Sequence, residues 1–320
     1  MSSPPLDALD LKLLQALELD GRAPFSRIAQ VLGVSDQTVA RRYRRLRANA
    51  RLRVTGTTDR GRLGQEGWIV RLGCSPGAAV SLADALARRP DTRYVDLMSG
   101  GSEVVCGITP ADRRQRDELL LERLPRTPRV TSMSSHCLLR PFYGGSLGWL
   151  RKISALAPEE EAALRPPAAD PPEEPVVLDP TDEALLAALR RDGRAPLAEL
   201  ASATGRSEDV ARRRLARLRR SAVLYLTVEY AHEPLGQAVP AMCWLTVAPQ
   251  GLAEVGRAVA THPEVSFASA VTGRANLVLS LLCRTTDHLY GYVTERLGAL
   301  EAVVSVETTL VLRRVKALTH

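Results

Sequence analysis

Two clusters of arginine carry most of the chemical potential of this 320-residue chain. The first lies in Ser35-Asp36-Gln37-Thr38-Val39-Ala40-Arg41-Arg42-Tyr43-Arg44-Arg45-Leu46-Arg47, and from Arg41 to Arg53 there are seven arginines and no acid. The second contains Arg212, Arg213, Arg214 and Arg217 behind Ser207. A guanidinium stays charged and presents a planar fork of donors that matches phosphate oxygens or the O6/N7 edge of guanine. Lysine, a poorer match for that edge, occurs only at Lys12, Lys152 and Lys316. Gln37 and Thr38 are the best candidates for base edges, since a glutamine pairs bidentately with adenine. Ser35, Gln37, Thr38, Arg41, Arg42, Arg44, Arg45 and Arg47, with Ser207, Arg212, Arg213, Arg214 and Arg217, therefore form the expected surface for double-stranded DNA. Arg42 and Arg214 lie nearer the apolar stripe and suit bracing the domain as well as touching phosphate.

The flanking residues read as the elements that must hold these arginines. Leu9, Leu13, Leu14 and Leu17 recur at helical spacing, and Asp20-Gly21 ends that helix. A second helix is predicted from Phe25 to Leu32, after Pro24 and before a tight turn at Gly33. Ser35 reads as the N-cap of a third, with Val39, Tyr43 and Leu46 on one stripe and Gln37, Arg41 and Arg44 opposite. Three short helices with a glycine turn before the last match a helix-turn-helix, whose final helix enters the DNA major groove. Residues 6–53 hold ten Lys+Arg against five Asp+Glu, a net of +5. Residues 178–224 hold ten against seven, a net of +3. The two sums give +8 of the chain's net +7, so the rest carries −1, and the positive charge is confined to these two segments.

That second segment is a repeat of the first. Asp20-Gly21-Arg22-Ala23-Pro24 returns as Asp192-Gly193-Arg194-Ala195-Pro196, and the offset of 172 holds through Gly33/Gly205, Arg41/Arg213 and Leu63-Gly64/Leu235-Gly236. Residues 157–177 between the copies hold six prolines and six acids and read as a semi-extended tether. After each helical domain the period shifts to two. In the second copy strands are predicted at Val223–Tyr230, Cys243–Val247, Val265–Val271, Asn276–Leu282 and Val303–Leu312, with helices at Leu252–Thr261 and Asp287–Leu297. This order contains a ferredoxin-like βαββαβ unit, so the fold class is α+β: a tandem of a winged-type helix-turn-helix and a ferredoxin-like domain.

With these pieces in place, both copies resemble the Lrp/AsnC family of bacterial transcription regulators. The residues that carry the resemblance are the opening Leu-Asp-x-x-Asp, the Asp-Gly-Arg-Ala-Pro turn, the pattern from Ser35 to Leu46, and the glycine turns at Gly100–Glu103 and Gly273–Asn276. The resemblance implies domains at 6–53 (helix-turn-helix), 54–140 (RAM, a ligand-binding and dimerisation domain), 141–177 (linker), 178–224 (second helix-turn-helix) and 225–320 (second RAM). It also implies an amino-acid effector near Gly100, Gly101, Ser102 and Glu103 and near Thr272, Gly273, Arg274 and Asn276. Such regulators usually carry aspartate where this chain has Glu103 and Asn276. Glu208-Asp209 opens the second reading helix, so the first copy is expected to bind DNA more strongly. The two RAM domains are expected to pair sheet to sheet, with association into a homodimer or larger assembly.

Other classes are weakly supported. No apolar run approaches the roughly 18 residues of a membrane span. The five scattered cysteines form no C-x-x-C pair and read as reduced thiols of a cytoplasmic protein. No H-E-x-x-H or phosphate-binding loop occurs, so neither catalysis nor a cofactor or metal is expected. Enzymes of the haem d1 pathway share the fused architecture, which keeps a metabolite-binding or enzymatic module with vestigial heads as an alternative. A sequence-tolerant architectural DNA binder is another.

Overall fold

The computed structural model describes residues 6–49, 52–230 and 235–317. Arg51, His232 and His320 lie outside them. The first copy contains α1 (Ala8–Leu19), α2 (Phe25–Leu32), α3 (Asp36–Asn49), β1 (Arg53–Thr58), β2 (Trp68–Cys74), α4 (Ala79–Ala87), β3 (Thr92–Met98), β4 (Glu103–Ile108), α5 (Arg113–Asp117) and β5 (Val130–Tyr143). Helix α6 (Pro158–Leu164) follows. The second copy contains α7 (Pro180–Arg191), α8 (Leu197–Thr204), α9 (Glu208–Arg220), β6 (Leu224–Glu229), β7 (Val239–Val247), α10 (Leu252–Thr261), β8 (Val265–Val271), β9 (Leu277–Cys283), α11 (Thr286–Gly291) and β10 (Val303–Lys316). The chain divides into two compact units, Met1–Gly64 with Gly145–Gly236 and Gln65–Gly144 with Gln237–Leu318.

The first unit holds both helix-turn-helix heads. Asp7 caps α1 in a reciprocal box with Asp10, and Asp179 and Asp182 do the same for α7. Pro24 and Pro196 start α2 and α8, which stop at Gly33 (φ +66°) and Gly205 (φ +63°), left-handed positions that favour glycine. Leu13, Leu14, Leu17, Ile28, Val39 and Leu46 bury the first core; Leu185, Leu186, Leu189, Leu200 and Leu218 bury the second. The expected winged form takes a different shape. Among the described residues the strand after each head makes no hairpin of its own; β1 and β6 pair antiparallel from Arg53↔Glu229 to Thr58↔Leu224. The RAM boundaries therefore move from 54 and 225 to Gln65 and Gln237.

The expected tether is also more structured than its composition suggested. Pro158 at the first turn, acids at Glu159, Glu160 and Glu161, and the run Ala162-Ala163-Leu164 suit a helix start followed by good helix formers. Leu150, Leu156 and Leu164 are buried in the first head's core. Lys12 Nζ lies 2.7 Å from Glu160, Arg27 Nη2 donates to the Ala163 carbonyl at 2.6 Å, and the Gln15 Oε1 accepts from the Ala155 and Leu156 amides. Residues 148–164 thus form a cap on the first head.

The second unit contains the two ferredoxin-like domains. Its eight strands close into a barrel in the order β10-β3-β4-β2-β5-β8-β9-β7. Each copy contributes four strands in ferredoxin order. The closures are edge to edge: β5 pairs with β2 over its first half and with β8 over its second, and β10 bridges β7 and β3 in the same way. The anticipated face-to-face contact exists inside the barrel, where Ile69, Met98 and Val105 meet Met242, Trp244, Val271 and Val278. Helices α4 and α10 cover apolar layers of their own copies. The helix predicted at Asp287–Leu297 begins as α11 and continues as a π-helical segment, Tyr292–Leu297. No helix among the described residues is long and apolar enough to cross a membrane.

Candidate nucleic-acid interface

Helix α3 separates its residues as the periodicity demanded. Val39, Tyr43 and Leu46 are buried, while Gln37, Arg41, Arg44, Arg45 and Arg47 are exposed and Thr38 is half-buried. Ser35 caps the helix, its Oγ accepting from the Thr38 amide at 3.2 Å. The arginines differ in what already holds them. Arg42 donates to Asp7 and Asp10 at 2.6 and 2.9 Å, which holds the Asp7 carboxyl below its usual range. Arg45 pairs with the fully buried Asp10. Arg44 donates to the Ala40 carbonyl, and Arg47 lies over the Tyr43 ring at 5.9 Å. Arg41 has no ion pair among the described residues.

Helix α9 repeats the braces with changed reading residues. Ser207 caps it, and Arg214 donates to Asp179 and Asp182 at 2.6 and 2.9 Å while Arg217 also pairs with Asp182. Burial alone would raise the Asp182 carboxyl, but the bonds from Arg217 and Arg214 hold it below the usual range. Of the two roles open to Arg42 and Arg214, the structure places both in the brace. Arg212 pairs with Asp209 at 2.8 Å, and Arg213 is exposed without an ion pair among the described residues. Arg41 and Arg213, equivalent in the repeat, are thus both exposed on the reading helices without an ion pair among the described residues.

The repeated Asp-Gly-Arg-Ala-Pro turns have a role that local spacing does not reveal. Arg22 Nη1 donates to the Gly193 and Ala195 carbonyls at 2.8 and 3.0 Å. Arg194 returns the contact, donating to the Gly21 and Ala23 carbonyls at 2.5 and 3.1 Å. The Gly193 amide donates to the Val54 carbonyl at 2.7 Å, and a side chain there would press on the β1 backbone at 3.0 Å. Arg219 reaches Asp20 at 2.8 Å. The two heads are clasped into one body. The intact recurrence of five residues was the only signal in the sequence.

The two glycine turns expected to meet an effector are largely engaged within the barrel. Gly100, Gly101 and Gly273 have φ of +67°, +85° and +114°, as hairpin turns require. Ser102 donates to the Ser99 carbonyl, and Glu103 accepts from Arg71 at 2.6 Å and from Ser99 at 3.0 Å. The Asn276 amide is used in both directions by the Val247 backbone, at 2.8 and 2.7 Å. The Thr272 carbonyl accepts from His136 at 2.7 Å and its hydroxyl accepts from the Cys137 amide, while Arg274 accepts from Thr246 through its carbonyl. The turn residues lead to a polar cluster that spacing did not reveal. Arg71 lies 4.9 Å over Trp244 and binds Glu307 as well as Glu103; the His136 ring lies 4.8 Å from the Trp244 ring. The buried Trp244 Nε1 has no hydrogen-bond partner among the described residues.

Comparison with known proteins agrees with this architecture. The profile of the AsnC-type helix-turn-helix domain matches residues 6–47 and again 178–219, and that of the Lrp/AsnC ligand binding domain matches 240–319. The chain is 28% identical over 138 residues to the HTH-type transcriptional regulator FL11 of Pyrococcus furiosus, covering 43% of this chain and 91% of that protein. The Pyrococcus horikoshii FL11 matches at 28% over 146 residues, 45% of this chain and 96% of its own. A solved structure similar over the full length is the siroheme decarboxylase NirDL, with TM-score 0.64 and 15% identity over 96% of this chain and 92% of that one. At that identity the likeness speaks for the fold. Two helix-turn-helix matches, a ligand-domain match and a second ferredoxin-like copy make this chain a double-length member of the Lrp/AsnC family.

Proposed function

We propose that the chain is a sequence-specific DNA-binding transcription regulator whose two unlike heads read one operator, with the first head binding more strongly. The observation that carries this reading is α3, which exposes Gln37 and Arg41 on the face opposite its buried stripe while Arg42 and Arg45 are held by Asp7 and Asp10. Arg41, Arg44 and Arg47, with Arg213 on α9, then supply phosphate or guanine contacts, and Gln37 and Thr38 supply base selection. The FL11 regulators, each matched over nearly its whole length by less than half of this chain, support it. An amino-acid effector fits best at the first copy's turn, Gly100 to Ser102, because the Asn276 amide of the second is already used by Val247. Fluorescence anisotropy tests the reading, with DNA upstream of the gene against scrambled duplex, at two salt concentrations and with or without amino acids. Preference for the upstream DNA supports a regulator; equal binding with a steep salt slope supports a sequence-tolerant architectural protein.

A second reading is a metabolite-binding or catalytic barrel with vestigial heads. The full-length likeness to a siroheme decarboxylase favours it, as do buried His136 and the unpartnered Trp244 Nε1 beside Arg71. Arg71 argues the other way, because two carboxylates already neutralise it. Release of carbon dioxide from added sirohaem, absent in a His136→Ala variant, would establish the second reading.

A further inference from the structure

The clasp between the heads is symmetric in its hydrogen bonds and asymmetric in its stacking. Arg22 and Arg194 each donate to two carbonyls of the opposite copy. Arg194 in addition lies 4.5 Å over the Phe25 ring and 5.6 Å over the Tyr43 ring, which themselves stand 5.2 Å apart. The repeat offset of 172 puts Leu197 and Leu215 where the first copy has Phe25 and Tyr43, so Arg22 meets no ring among the described residues. One side chain of the second copy thereby touches the turn after α1, the first residue of α2 and the middle of α3. Tyr43 lies on the buried stripe of α3, one helical turn from Arg47, whose guanidinium it also faces.

We propose that Arg194 is a positioning residue for the first head: by its stack on Tyr43 it sets the orientation of α3, so that base selection by Gln37 and Arg41 depends on the second copy. Guanidinium–ring attraction is directional and strengthens where both partners are partly desolvated. Bonds to Gly21 and Ala23 fix the guanidinium plane, and the plane fixes the ring. A lysine at this position retains charge but neither the fork nor the flat face. Among the described residues α9 has no such stack; its bond to the first copy is the Arg219–Asp20 pair in its last turn, away from its reading residues.

This inference rests on DNA reading by the first head, and the test separates the two. Duplexes are first selected from a random library with the unaltered chain, and the Gln37→Ala variant identifies the half-site read by α3. Discrimination is then the ratio of affinities for the selected duplex and for duplexes with single base changes in either half. Arg194→Leu and Tyr43→Leu should each reduce discrimination in the α3 half-site by about fivefold or more, with the other half-site unchanged and little further loss when combined. Arg194→Lys should not restore it. Arg22→Leu, which removes carbonyl bonds but no stack, should leave the α3 half-site within about twofold of the unaltered chain. Far-ultraviolet circular dichroism checks folding, and Tyr43→Leu decides the matter should the Arg194 variant fail to fold. Unchanged discrimination, or equal loss in both half-sites, overturns the positioning role alone. No sequence preference in the unaltered chain overturns DNA reading and this inference together.

Discussion

The two heads share one backbone and one set of braces but differ in what is left over for a partner. In each, a buried aspartate behind the first helix gathers two arginines from the reading helix: Asp10 with Arg42 and Arg45, Asp182 with Arg214 and Arg217. On the first head Arg41 stands beside Gln37 with no acid nearer on α3 than Asp36. On the second the acid pair Glu208-Asp209 opens the helix, and Asp209 engages Arg212. The faces behind the heads differ as well. Lys12, Gln15, Glu18 and Arg27, which hold the cap of residues 148–164, correspond to Ala184, Ala187, Arg190 and Glu199 in the second head. Duplication preserved the internal braces, and divergence went to the surfaces. An arginine-rich helix therefore cannot be scored as a sum of charges; the useful count is of guanidinium groups not already spent on the fold.

The shared brace is the strongest expected dependence. Asp10→Ala and Asp182→Ala each strand one guanidinium group, leave a second with a single carboxylate and break a capping box, and each should lower unfolding stability by about 3 kcal/mol. Urea melts of the two variants measure it; a loss below about 1 kcal/mol in either would break the equivalence of the heads. The cap should act on one head only. Leu164 is fully buried, so Leu164→Ala should cost about 2 kcal/mol or more and speed amide exchange in α1 and α2 while leaving α7 and α8 unchanged. Faster exchange in both heads would mean that the cap supports the clasp rather than the first head.

These differences were unequally visible in the sequence. Helix α2 was legible to its end residues because Pro24 and Gly33 punctuate it, and β8 because Val265 to Val271 alternates between turns. The prediction of β10 stopped at Leu312 because Arg313-Arg314-Val315-Lys316 reads as polar; that stretch pairs with β3 of the other copy, where Arg314 meets Asp96. Helix α6 was hidden by prolines on both sides, although Leu156 and Leu164 were there to anchor it. The exposed residues of α3 followed from helical period alone. The clasp of Arg22 and Arg194 did not, since its partners lie some 170 positions away and periodicity carries no information about distance in the chain. The same limit concealed Arg71, Glu307 and Trp244, which only barrel closure brings together.

The contrast between the reading faces is sharpened by matched substitutions. Arg41→Ala should weaken binding to the preferred duplex by about 1–3 kcal/mol if it reaches a base edge, and reduce the salt slope by about one if it reaches phosphate. Arg213→Ala should cost less, because Glu208 and Asp209 already lower the potential around its helix start. Anisotropy titrations at several salt concentrations distinguish these outcomes, and an equal loss from both variants would restore symmetry between the heads.

The smallest effect concerns the carboxylate beneath the cap. Glu18 is buried where the Gly148 and Val228 amides donate to it, so close to Gly148 that a side chain there would overlap its oxygen. Burial pushes its carboxyl up to about 7, with nearby Arg151 and the two amides opposing the rise. Its folded value therefore exceeds its unfolded one, and the stability it contributes is complete below the ordinary glutamate range and lost as pH rises through about 7. The first head should then melt at a lower temperature at about pH 8 than at about pH 5, whereas the second, with exposed Arg190 at the matching position, lacks this source of pH dependence. Glu18→Gln keeps an acceptor for the amides but removes the ionisation, and should flatten the pH dependence while raising stability at about pH 8 by about 1 kcal/mol. A pH dependence unchanged by Glu18→Gln would assign it to other groups and leave the cap as packing alone.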